Sequence, residues 1–140
     1  MIKLTKLALC TLLAAGVMAT TADAQDVLVY LTSGSTQTQG MALVLANQMV
    51  QQQAKVQVLL CDEAGDLALA EPVSSKLKPL DKSPAELLAS LMQRGVKVEV
   101  CALYLPNKTG AVSLKAGITA AKPPVIAAML LNPEVKTLSF

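Results

Sequence analysis

Histidine is absent from these 140 residues, and so is tryptophan. Without His the chain lacks the commonest zinc ligand and the usual acid–base catalyst of neutral pH. Aromatics are confined to Tyr30, Tyr104 and Phe140, too few for a platform on which single-stranded bases stack. Charge is sparse and balanced, 12 Lys+Arg against 10 Asp+Glu, so no basic field argues for a nucleic-acid partner. The three cysteines contain no C-x-x-C spacing and make neither a metal cluster nor a disulfide framework. Asp62, Glu63 and Asp66 do not continue into the twelve-residue calcium loop with its closing Glu. No metal is expected.

What is present begins with an address. Lys3 and Lys6 precede an apolar run from Leu7 to Ala19, and Ala22-Asp23-Ala24 supplies an A-x-A cleavage pattern. This order of basic, apolar and small residues reads as a secretory signal peptide over 1–24, too short in its apolar part for a membrane span. Cys10 follows Leu9, where a lipoprotein signal carries a small residue, so no lipid anchor is expected. Cleavage removes Lys3, Lys6 and Asp23, taking the net charge from +2 to +1. The mature chain, 25–140, is expected in a periplasm, with no span left after cleavage. It is long enough for one domain with a core of its own.

That chain alternates strand and helix. "DVLVYLTS" (Asp26 to Ser33) is a β-branched apolar run, continuous as in a strand covered on both faces. "GSTQTQGMALVLANQMVQQQ" turns helical, with Thr36 or Thr38 to cap it and Met41, Leu45 and Met49 in one core-facing row. "KVQVLL" predicts a second strand, followed by a loop-rich passage in which "DLALA" makes a helical turn. "SPAELLASLMQRG" predicts a helix capped by Ser83 and Glu86, opened by Pro84 and stopped by Gly95, with Leu87, Leu88 and Leu91 inward. Val96, Val98 and Val100 form a third strand. "KPPVIAAMLLNP" predicts a last helix and "VKTLSF" a last strand. Met41, Met49, Met92 and Met129 sit at helical core spacing. The pattern implies a three-layer α/β fold, a doubly wound, mostly parallel sheet of flavodoxin-like type.

In such sheets chemistry gathers beyond the carboxyl ends of the strands. Cys101 lies there after the third strand and is the candidate catalytic residue. Lys108 and Lys115 follow it, and with the backbone N–H groups of the loop they favour a thiolate. The loop Gly34–Gly40 lies at the same edge; Gly34, Ser35 and Thr36, with Asn107 and Lys108, are candidate pocket-lining residues. This loop lacks the glycine spacing and lysine of a phosphate-binding loop, and as a plain capped loop it needs no ligand. Cys61 ends the second strand, where Asp62 and Glu63 discourage a thiolate and a small apolar plug is the simpler reading. If strands two and three flank strand one, the two cysteines lie about 9–10 Å apart, beyond disulfide reach. No bridge is therefore expected, although an oxidising compartment would favour one.

Four segments together resemble the DsrE/DsrF-like (DsrEFH, TusD-related) family of sulfur-relay proteins. They are "VLVYLTSGSTQTQGMALVLANQM", "VQVLLCDEAGDLALA", "LLASLMQRGVKVEVC" and "GITAAKPPVIAAMLLNPEVKTLSF". The resemblance covers the mature chain, and its diagnostic position is the Cys ending the Gly-Val strand. It implies a cofactor-free DsrE-like domain that carries sulfur as a persulfide on Cys101, taken from or given to a protein or small thiol. It also implies a homo-oligomer, a trimer or hexamer. The signal peptide and "ALYLPNKTG" after Cys101, which lacks an arginine-rich stretch, depart from cytoplasmic relay members. Two other readings stand beside the carrier: a non-catalytic oligomeric module that binds a small ligand in the same pocket, and a thiol-redox protein in which Cys61 and Cys101 cycle.

Overall fold

The computed structural model describes residues 24–110 and 112–140. Residues 1–23 of the expected signal segment lie outside them. Five strands form one parallel sheet: β1 (Asp26–Leu31), β2 (Lys55–Leu60), β3 (Lys97–Val100), β4 (Thr119–Ala120) and β5 (Val135–Ser139). The helices are α1 (Thr36–Gln51), α2 (Pro84–Gln93), the one-turn α3 (Tyr104–Asn107) and α4 (Pro123–Leu131), with a 3₁₀ helix over Asp62–Ala68. Helices cover both faces of the sheet, giving the expected three-layer α/β fold.

Side-chain alternation divides the strands between two cores. Val27, Val29, Leu31, Val56, Val58, Leu60, Val98 and Val100 face α1 and α2 in the larger one. Leu28, Leu59 and Cys61 face the other way, where they meet Ala121 and Ile126 of the α4 side. Buried Glu99 is also out of phase with Val98 and Val100. Its carboxylate accepts from Gln57 Nε2 at 2.6 Å and pairs with Lys97 Nζ at 2.9 Å, partners that a buried charge requires.

The strand order is β4-β3-β2-β1-β5, which corrects the assumption that β2 and β3 flank β1. Helices α1 and α2 lie on the same face and pack on each other; Asn47 Nδ2 of α1 donates to the Leu87 carbonyl of α2 at 3.1 Å. Two right-handed crossovers with helices on one face step the sheet in one direction, from β1 to β2 to β3. The reversal comes later, when the chain passes to the α4 face and β5 adds on the far side of β1.

Helix α2 has the predicted start. Ser83 Oγ accepts from Glu86 N at 3.3 Å, Glu86 Oε2 accepts from Ser83 N at 2.7 Å, and Gly95 follows the helix at φ +81°. The bonds that Ser83 donates to the Glu86 carboxylate, from its backbone N–H first and its hydroxyl second, hold that carboxyl below the usual range. Helix α1 is rotated from the expected row. Its cap is Ser35, whose Oγ accepts from Thr38 N at 3.4 Å, with neither threonine in that role. Its buried residues are Gln39, Gly40, Ala42, Leu43, Ala46 and Asn47, whereas Met41 is 56% exposed and Leu45 37%. Ala42, Leu43 and Ala46 pack into the larger core, and Gly40 lies under the Leu77 side chain, which would overlap any Cβ there. The inward Asn47 is satisfied by the Leu43 and Leu87 carbonyls, so the bulkier row is left outside. Met49, Met92 and Met129 do pack against the cores.

Candidate functional site

Strands β2 and β3 are neighbours in parallel register, with Leu60 opposite Val100. Each strand is followed at once by its cysteine. The ladder continues one step further, Cys101 N donating to the Leu60 carbonyl at 2.8 Å and Cys61 N to the Leu31 carbonyl at 2.9 Å. Cys61 and Cys101 therefore stand side by side, both in phase with the residues facing α4. Adjacent strands bring Cα atoms to about 4.8 Å, inside the disulfide range; here the separation is 4.9 Å and the sulfurs are bonded. The bridge that the assumed strand order excluded is present. The sequence carried one signal for it: two cysteines at matching strand ends in a chain expected to be exported.

The two halves of the bridge differ in access. Cys61 is 4% exposed among Leu28, Leu59, Ala121 and Ile126, whereas Cys101 is partly exposed. Cys101 borders two cavities. One, of about 530 Å³, is polar, with walls that include Asp62, Glu63, Asp66, Tyr104, Asn107 and Lys108. The other, of about 380 Å³, lies against the sheet and α4 and is apolar, bounded by Leu28, Tyr30, Leu59, Ile126 and Leu130 among others.

A second connection joins the same two segments. Tyr104 Oη and Lys108 Nζ both donate to Asp66 Oδ1, and the Lys108 ammonium lies 5.5 Å from the Tyr104 ring centre. The ring lies so close over Gly65 that a Cβ there would overlap it, which explains a glycine inside this 3₁₀ helix. Burial alone would raise the Asp66 carboxyl, but the bonds from Lys108 and Tyr104 and the Lys108 charge outweigh it and hold it below the usual range. Burial first, then the bond to Asp66 and its charge, pushes the Tyr104 phenol up to about 12. The Lys108 ammonium is raised, chiefly by its bond to Asp66.

The signs agree. Asp66, lowered, contributes stability at neutral pH that is lost as pH falls through the acid range; Tyr104 and Lys108, raised, contribute stability that is lost in strong alkali. Asp66→Asn should bring Tyr104 ionisation down from about 12, read as the ultraviolet phenolate signal that Tyr104→Phe removes. Because the ion pair is 31% and 51% exposed at its two side chains, the same substitution should cost at most about 1 kcal/mol in urea unfolding. An unmoved titration would mean that this cluster does not form.

Of the candidate lining residues, Asn107 and Lys108 share the polar cavity with Cys101. The Lys108 charge is engaged by Asp66. Gly34 abuts the Glu63 side chain, which would overlap any Cβ at 34. Ser35 and Thr36 serve the start of α1 and are not among the cavity's walls. The acidic wall and Tyr104 were not singled out from sequence as parts of this site. Asp62, Glu63 and Asp66 precede Cys101 by about forty residues and reach it only through β2–β3 pairing. One available signal was Tyr104 itself, one of only three aromatics, three positions after Cys101.

No protein-family model matches the chain, and no curated protein matches it by sequence. Among solved structures, the crystal structure of the YchN protein from E. coli is similar, with a TM-score of 0.64 at 16% identity. The match covers 83% of this chain and 99% of that one. At that identity the likeness shows the fold.

Proposed function

We propose that this chain is an exported member of the DsrE-like sulfur-relay group that carries sulfane sulfur as a persulfide on Cys101. The observation that carries the reading is the place of Cys101, a partly exposed residue at the carboxyl edge of the sheet that borders two cavities, with its disulfide partner buried. The YchN-like fold and the order of the four family-like segments support it. The chemistry needs only thiols: a Cys101 thiolate attacks the outer sulfur of a donor persulfide, forms the new S–S bond and expels the donor thiolate. The donor is a protein or small thiol, and the compartment is the periplasm. Exposed Val125, Leu130 and Leu131 on α4 are consistent with a homo-oligomer.

The test begins with protein reduced by a dithiol, freed of reductant and mixed with glutathione persulfide. Alkylation at early times and peptide mass spectrometry then locate the sulfur. The expected result is one extra sulfur on the Cys101 peptide, none in Cys101→Ser, and alkylation of Cys101 about tenfold or more faster than of Cys61. A Cys101 that takes no sulfur at any time would overturn the carrier. The apolar cavity of about 380 Å³ would then favour the second reading, a module binding a small apolar ligand beside the bridge.

A further inference from the structure

We infer that Cys61 is a resolving cysteine, which unloads the persulfide of Cys101 as hydrosulfide and closes the disulfide seen in the structure. The inference rests on the carrier reading and extends it from storing sulfur to reducing it. Three observations carry it. The cysteines are placed side by side by the ladder itself, 4.9 Å apart at Cα. Cys61 is buried in an apolar cluster, shielded from donors in solution but next to whatever Cys101 holds. The cavity bordered by Cys101 has three carboxylates in its wall, Asp62, Glu63 and Asp66. Its one lysine, Lys108, is paired with Asp66. With its one cation already paired, that wall offers no free positive charge to retain a hydrosulfide anion once it is expelled.

The step balances without an outside oxidant. The Cys61 thiol attacks the inner sulfur of Cys101–S–SH as it gives up its proton; the Cys61–Cys101 bond forms, the inner–outer S–S bond breaks, and the outer sulfur leaves as hydrosulfide, the Cys61 proton passing to it or to water. The sulfane sulfur is reduced, and two cysteine thiols are oxidised to the disulfide. A dithiol reductant then returns the pair to thiols for another round. Attack on the outer sulfur would only move the persulfide to Cys61, inside the apolar cluster, where no acceptor reaches it. Reactions between partners held in place outrun their bimolecular counterparts by many orders of magnitude, so a persulfide next to a free Cys61 thiol is short-lived.

The experiment loads reduced wild-type, Cys61→Ser and Cys61→Ala proteins with glutathione persulfide, desalts them rapidly, and follows three quantities with time. These are sulfur on the Cys101 peptide, hydrosulfide released, and the Cys61–Cys101 disulfide. Wild type should release hydrosulfide in equal amount to the disulfide formed, while both variants keep their persulfide about a hundredfold longer or more. A wild-type persulfide that persists beside a free Cys61 thiol, or hydrosulfide released as fast by the variants, would overturn the inference and leave the carrier standing. Sulfur on Cys61 would overturn it too. A Cys101 that never loads in any of the three proteins would instead sink the carrier reading beneath it. The wild-type stoichiometry needs no variant, so it decides the matter even if position 61 tolerates no substitution.

Discussion

Reducing the Cys61–Cys101 bridge is expected to lower the unfolding free energy by about 2–4 kcal/mol. The bridge spans a sequence separation of 40 residues, and closing a loop of that length removes about 4 kcal/mol of chain entropy from the unfolded ensemble. The native state needs no rearrangement once the bond is cut. The β2–β3 ladder ends on the Cys101 N to Leu60 O bond, and Asp66 still links the two following segments through Tyr104 and Lys108. The reduced protein should therefore stay folded, with its thermal midpoint lower by roughly 10–20 °C for a domain of this size. Circular dichroism melts of oxidised and reduced protein, with the Cys61→Ser/Cys101→Ser double variant as a reductant-free control, measure the difference. Equal midpoints would mean that the folded chain does not form this bridge.

The second large effect separates two rows of helix α1. Leu43 is fully buried between the sheet and α2, and Leu43→Ala should cost about 2–5 kcal/mol, as truncations that leave cavities do. Met41, two positions earlier and of similar bulk, is 56% exposed; Met41→Ala should stay within about 0.5 kcal/mol. Urea unfolding of both variants gives the comparison, with m unchanged as the check that only stability has moved. The reverse ranking would place Met41 and Leu45 inward, in the row that periodicity favoured.

That contrast shows where sequence reading reached its limit. Along α1, hydrophobic residues occupy more than one row, and the row turned into the core is that of Ala42, Leu43 and Ala46. Asn47 is polar and yet buried, because two carbonyls on the inner side satisfy it. Helix α2 posed no such ambiguity. Its capping box, opening proline and closing glycine are contacts between residues a few positions apart, and its leucines lie in one row.

The sequence by itself determined four of the five strands and the three longer helices, but not α3 or β4, together with the boundaries of α2 and the arrival of Cys61 and Cys101 one residue past their strands. All of these rest on interactions within a few residues, which the chain expresses wherever the segment is packed. Only the tertiary structure decided which strands are neighbours. That choice depends on the face of the sheet each crossover helix covers, a matter of burial summed over the whole domain. With α1 and α2 on the same face, β3 pairs with β2, and the register then sets the two sulfurs side by side. The same pairing brings Asp66 to Tyr104 across 38 positions and to Lys108 across 42. The thiol at the end of the strand was legible; its partner was not, because the partner is fixed by strand order and the thiol by local pattern.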